Sequence, residues 1–115
     1  MTDEVRDTFK GLIDSEHLGH GYIFHGEDLL AQFKFAISLA HFLERESWDV
    51  RERPLSDISI VDEGAGVIGI DVARDAQKFL YQRPNESSHR VVIINNAGKL
   101  NHLAQNALLK VAEEP

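Results

Sequence analysis

Val91-Val92-Ile93-Ile94 places four consecutive residues that are both apolar and branched at Cβ. A strand with one face in water alternates apolar and polar side chains. An unbroken run of this kind needs cover on both faces, the situation of a parallel strand between helices. Two weaker strand candidates precede it. Ile58-Ser59-Ile60-Val61 ends at Asp62-Glu63-Gly64-Ala65-Gly66, and Tyr22-Ile23-Phe24-His25 is closed by Gly26.

Helical patterns fill the intervals. Val5, Phe9, Leu12 and Ile13 recur at i, i+4, i+7 and i+8, which predicts a short amphipathic helix ending before Gly19-His20-Gly21. Asp28 can cap a second helix whose wide apolar stripe runs through Leu29, Leu30, Phe33, Ala36, Ile37, Ala40 and Leu43. Leu29, Leu30, Phe33 and Ile37 are expected in the core. Asp71 can cap a third helix through Val72, Ala76, Phe79 and Leu80, stopped by Pro84-Asn85. Asn101 can cap the last, with Leu103, Ala107, Leu108 and Val111 on one side. One helix followed by three strand–helix units implies parallel strands joined by crossovers, an α/β layered fold. At 115 residues the chain is one domain, residues 1–115.

Composition excludes several classes of function. Twelve Lys and Arg against 19 Asp and Glu leave a net charge of −7, opposite in sign to a dedicated nucleic-acid binder. No apolar run reaches the roughly 18 residues of a membrane span, and the start Met1-Thr2-Asp3-Glu4 is too acidic to open a signal peptide. With no Cys, thiol chemistry and cysteine metal sites are excluded; a cytoplasmic location is expected.

Ligands of open α/β sheets bind beyond the carboxyl ends of the strands. The loop after Tyr22–His25 has the frame of a phosphate loop, G-x-x-x-x-G-K-[ST], but retains only its first glycine, Gly26. Ala31 stands for the second glycine, Gln32 for the lysine and Phe33 for the magnesium-binding hydroxyl, while Glu27 and Asp28 add negative charge. Like charges a few ångströms from a triphosphate cost on the order of 1 kcal/mol or more. At the end of Val91–Ile94, where a Walker B strand carries Asp and then Glu, the chain has Asn95 and Asn96. Neither amide supplies the charge or the basicity of a carboxylate. No bound cofactor and no catalytic residue is expected.

The segment Arg90-Val91-Val92-Ile93-Ile94-Asn95-Asn96-Ala97-Gly98-Lys99-Leu100 is similar to the Walker B strand and turn of bacterial clamp-loader subunits. Ala104-Gln105-Asn106-Ala107-Leu108-Leu109-Lys110-Val111-Ala112-Glu113-Glu114-Pro115 resembles their signature helix, A-x-N-A-L-L-K-x-x-E-E-P. His20–Gly26 looks like the family's first strand and Ile70-Asp71-Val72-Ala73-Arg74 like the start of its second core helix. The resemblance implies a P-loop NTPase-like (AAA+) domain with degenerate Walker A and Walker B motifs. It also implies a non-hydrolysing role in DNA replication within a DNA polymerase III clamp loader. Partners implied are the gamma/tau and delta subunits directly, and the sliding clamp and primed DNA indirectly. Asn106, Lys110, Glu113 and Glu114 become candidates for the partner interface.

The chain departs from the family in lacking the four-cysteine zinc module. It also stops before the arginine-finger motif, the last two core strands, the helical lid and the collar, so the sheet is expected to be incomplete at its C-terminal side. The family's sheet order, 5-1-4-3-2, leaves the first strand with no neighbour here. Tyr22–His25 should therefore re-pair with another strand, pair with a second copy, or stay poorly supported.

Plainer readings compete at each site. Asn95-Asn96 can be a simple turn, and the polar residues of the last helix a solvated face. The six His are expected in core or surface roles, since His17, His20 and His25 lack a metal-binding spacing. Glu44-Arg45-Glu46 and Arg51-Glu52-Arg53 read as balanced surface charge. Rival functions are a divergent P-loop ATPase with residual nucleotide binding and, through Asp62 with Glu27, Asp28 and Glu63, a receiver-like phosphoacceptor.

Overall fold

The structure, a computed structural model, describes residues 3–24, 27–48, 57–62, 66–84 and 89–113. Four helices surround two parallel strands: α1 (Asp3–Asp14), α2 (Leu29–Arg45), β1 (Ile58–Val61), α3 (Ile70–Tyr81), β2 (Val91–Ile94) and α4 (His102–Glu113). A single 3-10 turn, Ala97–Lys99, links β2 to α4. Ile58 lies opposite Val91 and Val61 opposite Ile94, with Val91 N–H donating to the Asp57 carbonyl at 2.8 Å. A small α/β domain is thus present, with α3 as the crossover between the parallel strands. A full P-loop sheet is not formed by the described residues.

Beyond the strands the two chains remain tied. Ile68 N–H donates to the Lys99 carbonyl and Asn101 N–H to the Ile68 carbonyl, at 2.8 and 2.9 Å, making an isolated parallel bridge between Ile68 and Leu100. Helices α3 and α4 both start just past this bridge and pack side by side, and the Gln77 amide donates to the Ala107 carbonyl. Ala73, Ala76 and Ala104 are among the most buried residues, small enough to let neighbouring elements approach closely. Asn101 caps α4 as expected, its Oδ1 accepting from Ala104 N–H at 2.9 Å. The cap of α3 is Gly69 rather than Asp71; Asp71 lies in the first turn, where its charge favours the helix terminus without a cap hydrogen bond.

The expected first strand is not formed. Over residues 21–24 the backbone joins neither β1 nor β2, and Ile23 is 85% exposed. A strand needs a neighbour to take its backbone groups, and side chains anchor this segment instead. Tyr22 and Phe24 pack against Phe9 with ring centroids 4.9 and 6.0 Å away, Phe24 meets Phe35 at 5.6 Å, and the Tyr22 hydroxyl accepts from Gly19 N–H. The same aromatic cluster runs on through Phe35 to Trp48, which stacks on Phe42 at 4.6 Å with Arg6 over its ring.

The core also differs from the periodicity of α2. Leu29 and Leu30 are exposed and Phe33 and Ile37 half-buried, while Phe35, Ala40 and His41 are buried. Without a strand over residues 21–24, the first turn of α2 has no sheet to cover it, so the buried face shifts toward the aromatic cluster. Glu44-Arg45-Glu46 is likewise not simple surface charge. The Glu44 side chain is almost fully buried and its Oε1 accepts from Asp57 N–H at 2.9 Å. Arg51-Glu52-Arg53 lies outside the described residues.

Asp57 is fully buried at the start of β1 and faces Arg90, at the start of β2, across 3.9 Å. Arg90 is sandwiched against the Phe79 ring, 4.5 Å from its centroid, and its Nε donates to the Arg83 carbonyl. Removing one partner of a buried ion pair leaves the other charge uncompensated, a loss of about 3–5 kcal/mol. Asp57→Ala is therefore expected to destabilise by about that amount in urea unfolding, whereas Glu44→Gln, which keeps a carbonyl acceptor for Asp57 N–H, should cost less.

Burial holds the His41 imidazole below its usual range, helped by the Arg45 guanidinium and opposed by the Glu44 carboxylate. The folded state thus binds this proton more weakly than the unfolded chain does. Stability is fully present above the unfolded value of about 6.5 and falls as pH drops through the interval down to the folded value. Thermal unfolding from pH 8 to pH 5 should show this acid loss, and His41→Gln should flatten it.

Candidate functional site

Helix α2 begins at Leu29, so Ala31, Gln32 and Phe33 lie wound in its first turn and a half. Asp28 is the cap: its Oδ1 accepts from Ala31 N–H at 3.0 Å and its carbonyl from Gln32 N–H at 3.1 Å. The amide groups that a phosphate loop would present to an anion are thereby engaged by the chain's own acid. Glu27 and Asp28 are exposed beside them. Gly26 and His25 lie outside the described residues.

The parallel register brings the ends of β1 and β2 together. Val61 stands opposite Ile94, and Asn95 N–H donates to the Val61 carbonyl at 2.9 Å, so Asp62 and Asn95 leave the sheet side by side. Asn96 follows with φ 62° and ψ 68°, the left-handed region. Asparagine tolerates that conformation better than most residues. Its carbonyl accepts from Lys99 N–H to start the 3-10 turn. Asn96 therefore has a structural role in the turn, as the plainer reading held. Among the described residues no hydrogen bond joins Gln32 to Asn95 or Asn96, and no three His, Asp or Glu converge in a metal-binding group. His17 and His20 are both exposed.

On α4, Asn106, Lys110 and Glu113 are exposed on one face, with Asn106 Nδ2 3.4 Å from His102 Nε2. Glu114 lies outside the described residues. Leu103 and Leu109 flank this polar ridge at 59% and 56% exposure. Helical spacing sets His102, Leu103, Leu109, Lys110 and Glu113 within about 60° of Asn106. Placing Leu103 on the buried side is therefore corrected. The inward stripe is Ala104, Ala107, Leu108 and Val111, and Ala104 at its head is fully buried. The i, i+3, i+4, i+7 spacing from Ala104 carries that signal in the sequence, but leucine's size masks it.

The family model for the DNA polymerase III delta subunit matches residues 1–115, the whole chain. The chain belongs to the DNA polymerase III delta subunit family. Among curated relatives, the DNA polymerase III subunit delta' of Haemophilus influenzae is 40% identical over 48 residues, 42% of this chain and 15% of that protein. Its namesake from Buchnera aphidicola subsp. Schizaphis graminum is 32% identical over 57 residues, 50% of this chain and 17% of the relative. The matches thus span under a fifth of either relative's length. No solved structure matches. Among the described residues no helix is long and apolar enough to cross a membrane.

The cap gives the start of α2 a measurable structural function. Asp28→Ala removes the acceptor for Ala31 N–H and should cost about 1 kcal/mol, read as a lowered urea midpoint with unchanged slope.

Proposed function

We propose that this chain acts in DNA replication as part of a delta' subunit, a non-hydrolysing member of the DNA polymerase III clamp loader distinct from its delta subunit, in the cytoplasm. It organises the partner gamma/tau and delta subunits that load the sliding clamp onto primed DNA. One observation carries this reading within a family already established: Asp28 and the wound first turn of α2 fill the place where a triphosphate would meet backbone amides. Gln32 brings no charge to that turn and Asn95 no carboxylate to the strand end. Nucleotide recognition and water activation thus each lack their groups, so the domain serves as a scaffold without a bound cofactor.

The exposed face of α4 is the partner surface in this reading. Asn106, Lys110 and Glu113, together with Glu114, supply polar contacts, and Leu103 and Leu109 supply the apolar area that association needs. Interface energy concentrates in a few desolvated apolar anchors, so the two leucines should matter more than the charges around them.

A fluorescent ATP analogue titrated with Mg²⁺ should show no saturable binding to this chain; saturation in the micromolar range would overturn the proposal. In co-assembly with gamma/tau and delta, Leu103→Asp and Leu109→Asp should weaken capture by tenfold or more, roughly 1.4 kcal/mol each, with the circular dichroism spectrum unchanged.

A further inference from the structure

The ladder between the strands fixes which backbone groups of β1 are spent on it. The Asp57 and Val61 carbonyls accept from Val91 and Asn95 N–H. Successive residues of a strand point their N–H and C=O groups to opposite sides. Asp57, Ser59 and Val61 therefore serve β2, while Ile58 and Ile60 direct theirs outward. Among the described residues nothing takes those four groups. In the order 5-1-4-3-2 that the resemblance implies, Ile58–Val61 is the second strand and closes the sheet. This edge therefore stays at the rim however many strands join beyond β2.

The side chains give this edge a preference. Ile60 is 48% exposed, and the exposed Asp62 follows two residues on. At the other end Asp57 is buried against Arg90, so its charge is matched within the fold. An apolar middle is thus bounded by acid at one end. Charge beside a sheet edge guards it against indiscriminate pairing. An acid repels acidic strands and favours a basic one, which is discrimination by sign. A second copy of this chain, itself at −7, has the wrong sign.

We propose that the outer edge of β1 takes an extended segment of a partner protein, added antiparallel, in which a Lys or Arg precedes two apolar residues at alternate positions. The two apolar residues come opposite Ile60 and Ile58 as hydrogen-bonded pairs. The two N–H···O bonds of each pair satisfy all four outward groups. The basic residue, two positions earlier in the segment, comes opposite Asp62. Main-chain bonds supply the affinity, and the contacts with Ile60 and Asp62 supply the selectivity. The sheet becomes three strands, segment-β1-β2, past the two-stranded state that is marginal in water. Salt weakens the association by screening the pair at Asp62. This edge belongs to a different element from the α4 face, so the two surfaces can be tested separately.

The probe is the synthetic peptide acetyl-Lys-Thr-Val-Thr-Val-Thr-amide, added to the whole 115-residue chain at low salt and followed by amide hydrogen exchange in NMR. At saturation, exchange at Ile58 and Ile60 should slow by roughly tenfold or more. Ser59 and Val61, which face β2, should not change. Replacing the peptide's Lys by Glu should weaken binding roughly threefold or more, and Asp62→Lys, at an exposed position, should reverse that preference. No slowing at Ile58 and Ile60 with millimolar peptide, slowing at Val92 and Ile94 in their place, or equal binding of the Lys and Glu peptides would overturn the proposal. Slowing that follows the chain's own concentration without peptide would overturn it too, in favour of a second copy.

Discussion

Asp57 and Arg90 meet at the point where both strands begin, and most of the architecture depends on that meeting. The Asp57 backbone opens the ladder to Val91, its N–H is held by Glu44 from α2, and its carboxylate faces Arg90. Arg90 in turn rests on Phe79 and bonds the Arg83 carbonyl at the end of α3. One buried cluster thereby connects α2, both strands and α3. Charges so placed are stable only while each has its partner, because desolvation penalises any that is left alone. Register specificity follows: sliding β2 by one residue would remove Arg90 from Asp57 and turn the strand's side chains over.

The two poles of the domain are unlike. At the start of the strands the polar groups are buried and mutually satisfied. At their far end, where relatives of this fold receive ligands, the polar groups are turn-formers and caps: Asn96 in the left-handed region, Asp28 at the head of α2, Asn101 at the head of α4. Each serves local geometry. The surface proposed on α4 starts at Leu103, beside the far pole, and runs along the helix from there.

Much of this was legible in the residues. The β-branched run at Val91–Ile94 and the sequence Ile58–Val61 specify strands by composition alone, and Asp28 and Asn101 announce their helices by cap chemistry. The family also showed itself in the closing helix. What failed did so where tertiary context decides. Tyr22–Phe24 has strand-like residues but no neighbour, so aromatic packing on Phe9 and Phe35 fixes it instead. Leu29 and Leu30 are apolar yet exposed, since among the described residues no sheet lies against their helical face. Glu44 reads as one of three alternating charges, and nothing local reveals that its carboxylate is claimed by an amide thirteen positions later. At the start of α2, the departure from a phosphate-loop pattern was visible by residue type, but the wound turn with its own acid as cap was not.

In the proposed non-hydrolysing reading, that capped turn makes nucleotide binding difficult to introduce. A lysine introduced at Gln32 would put a cation on a helix whose Ala31 and Gln32 amides are already claimed, and a phosphate could reach those two amides only by displacing Asp28 and unwinding the first turn. Each step toward a nucleotide site would lower stability before it conferred any affinity. A lineage carrying this cap would therefore tend to keep it.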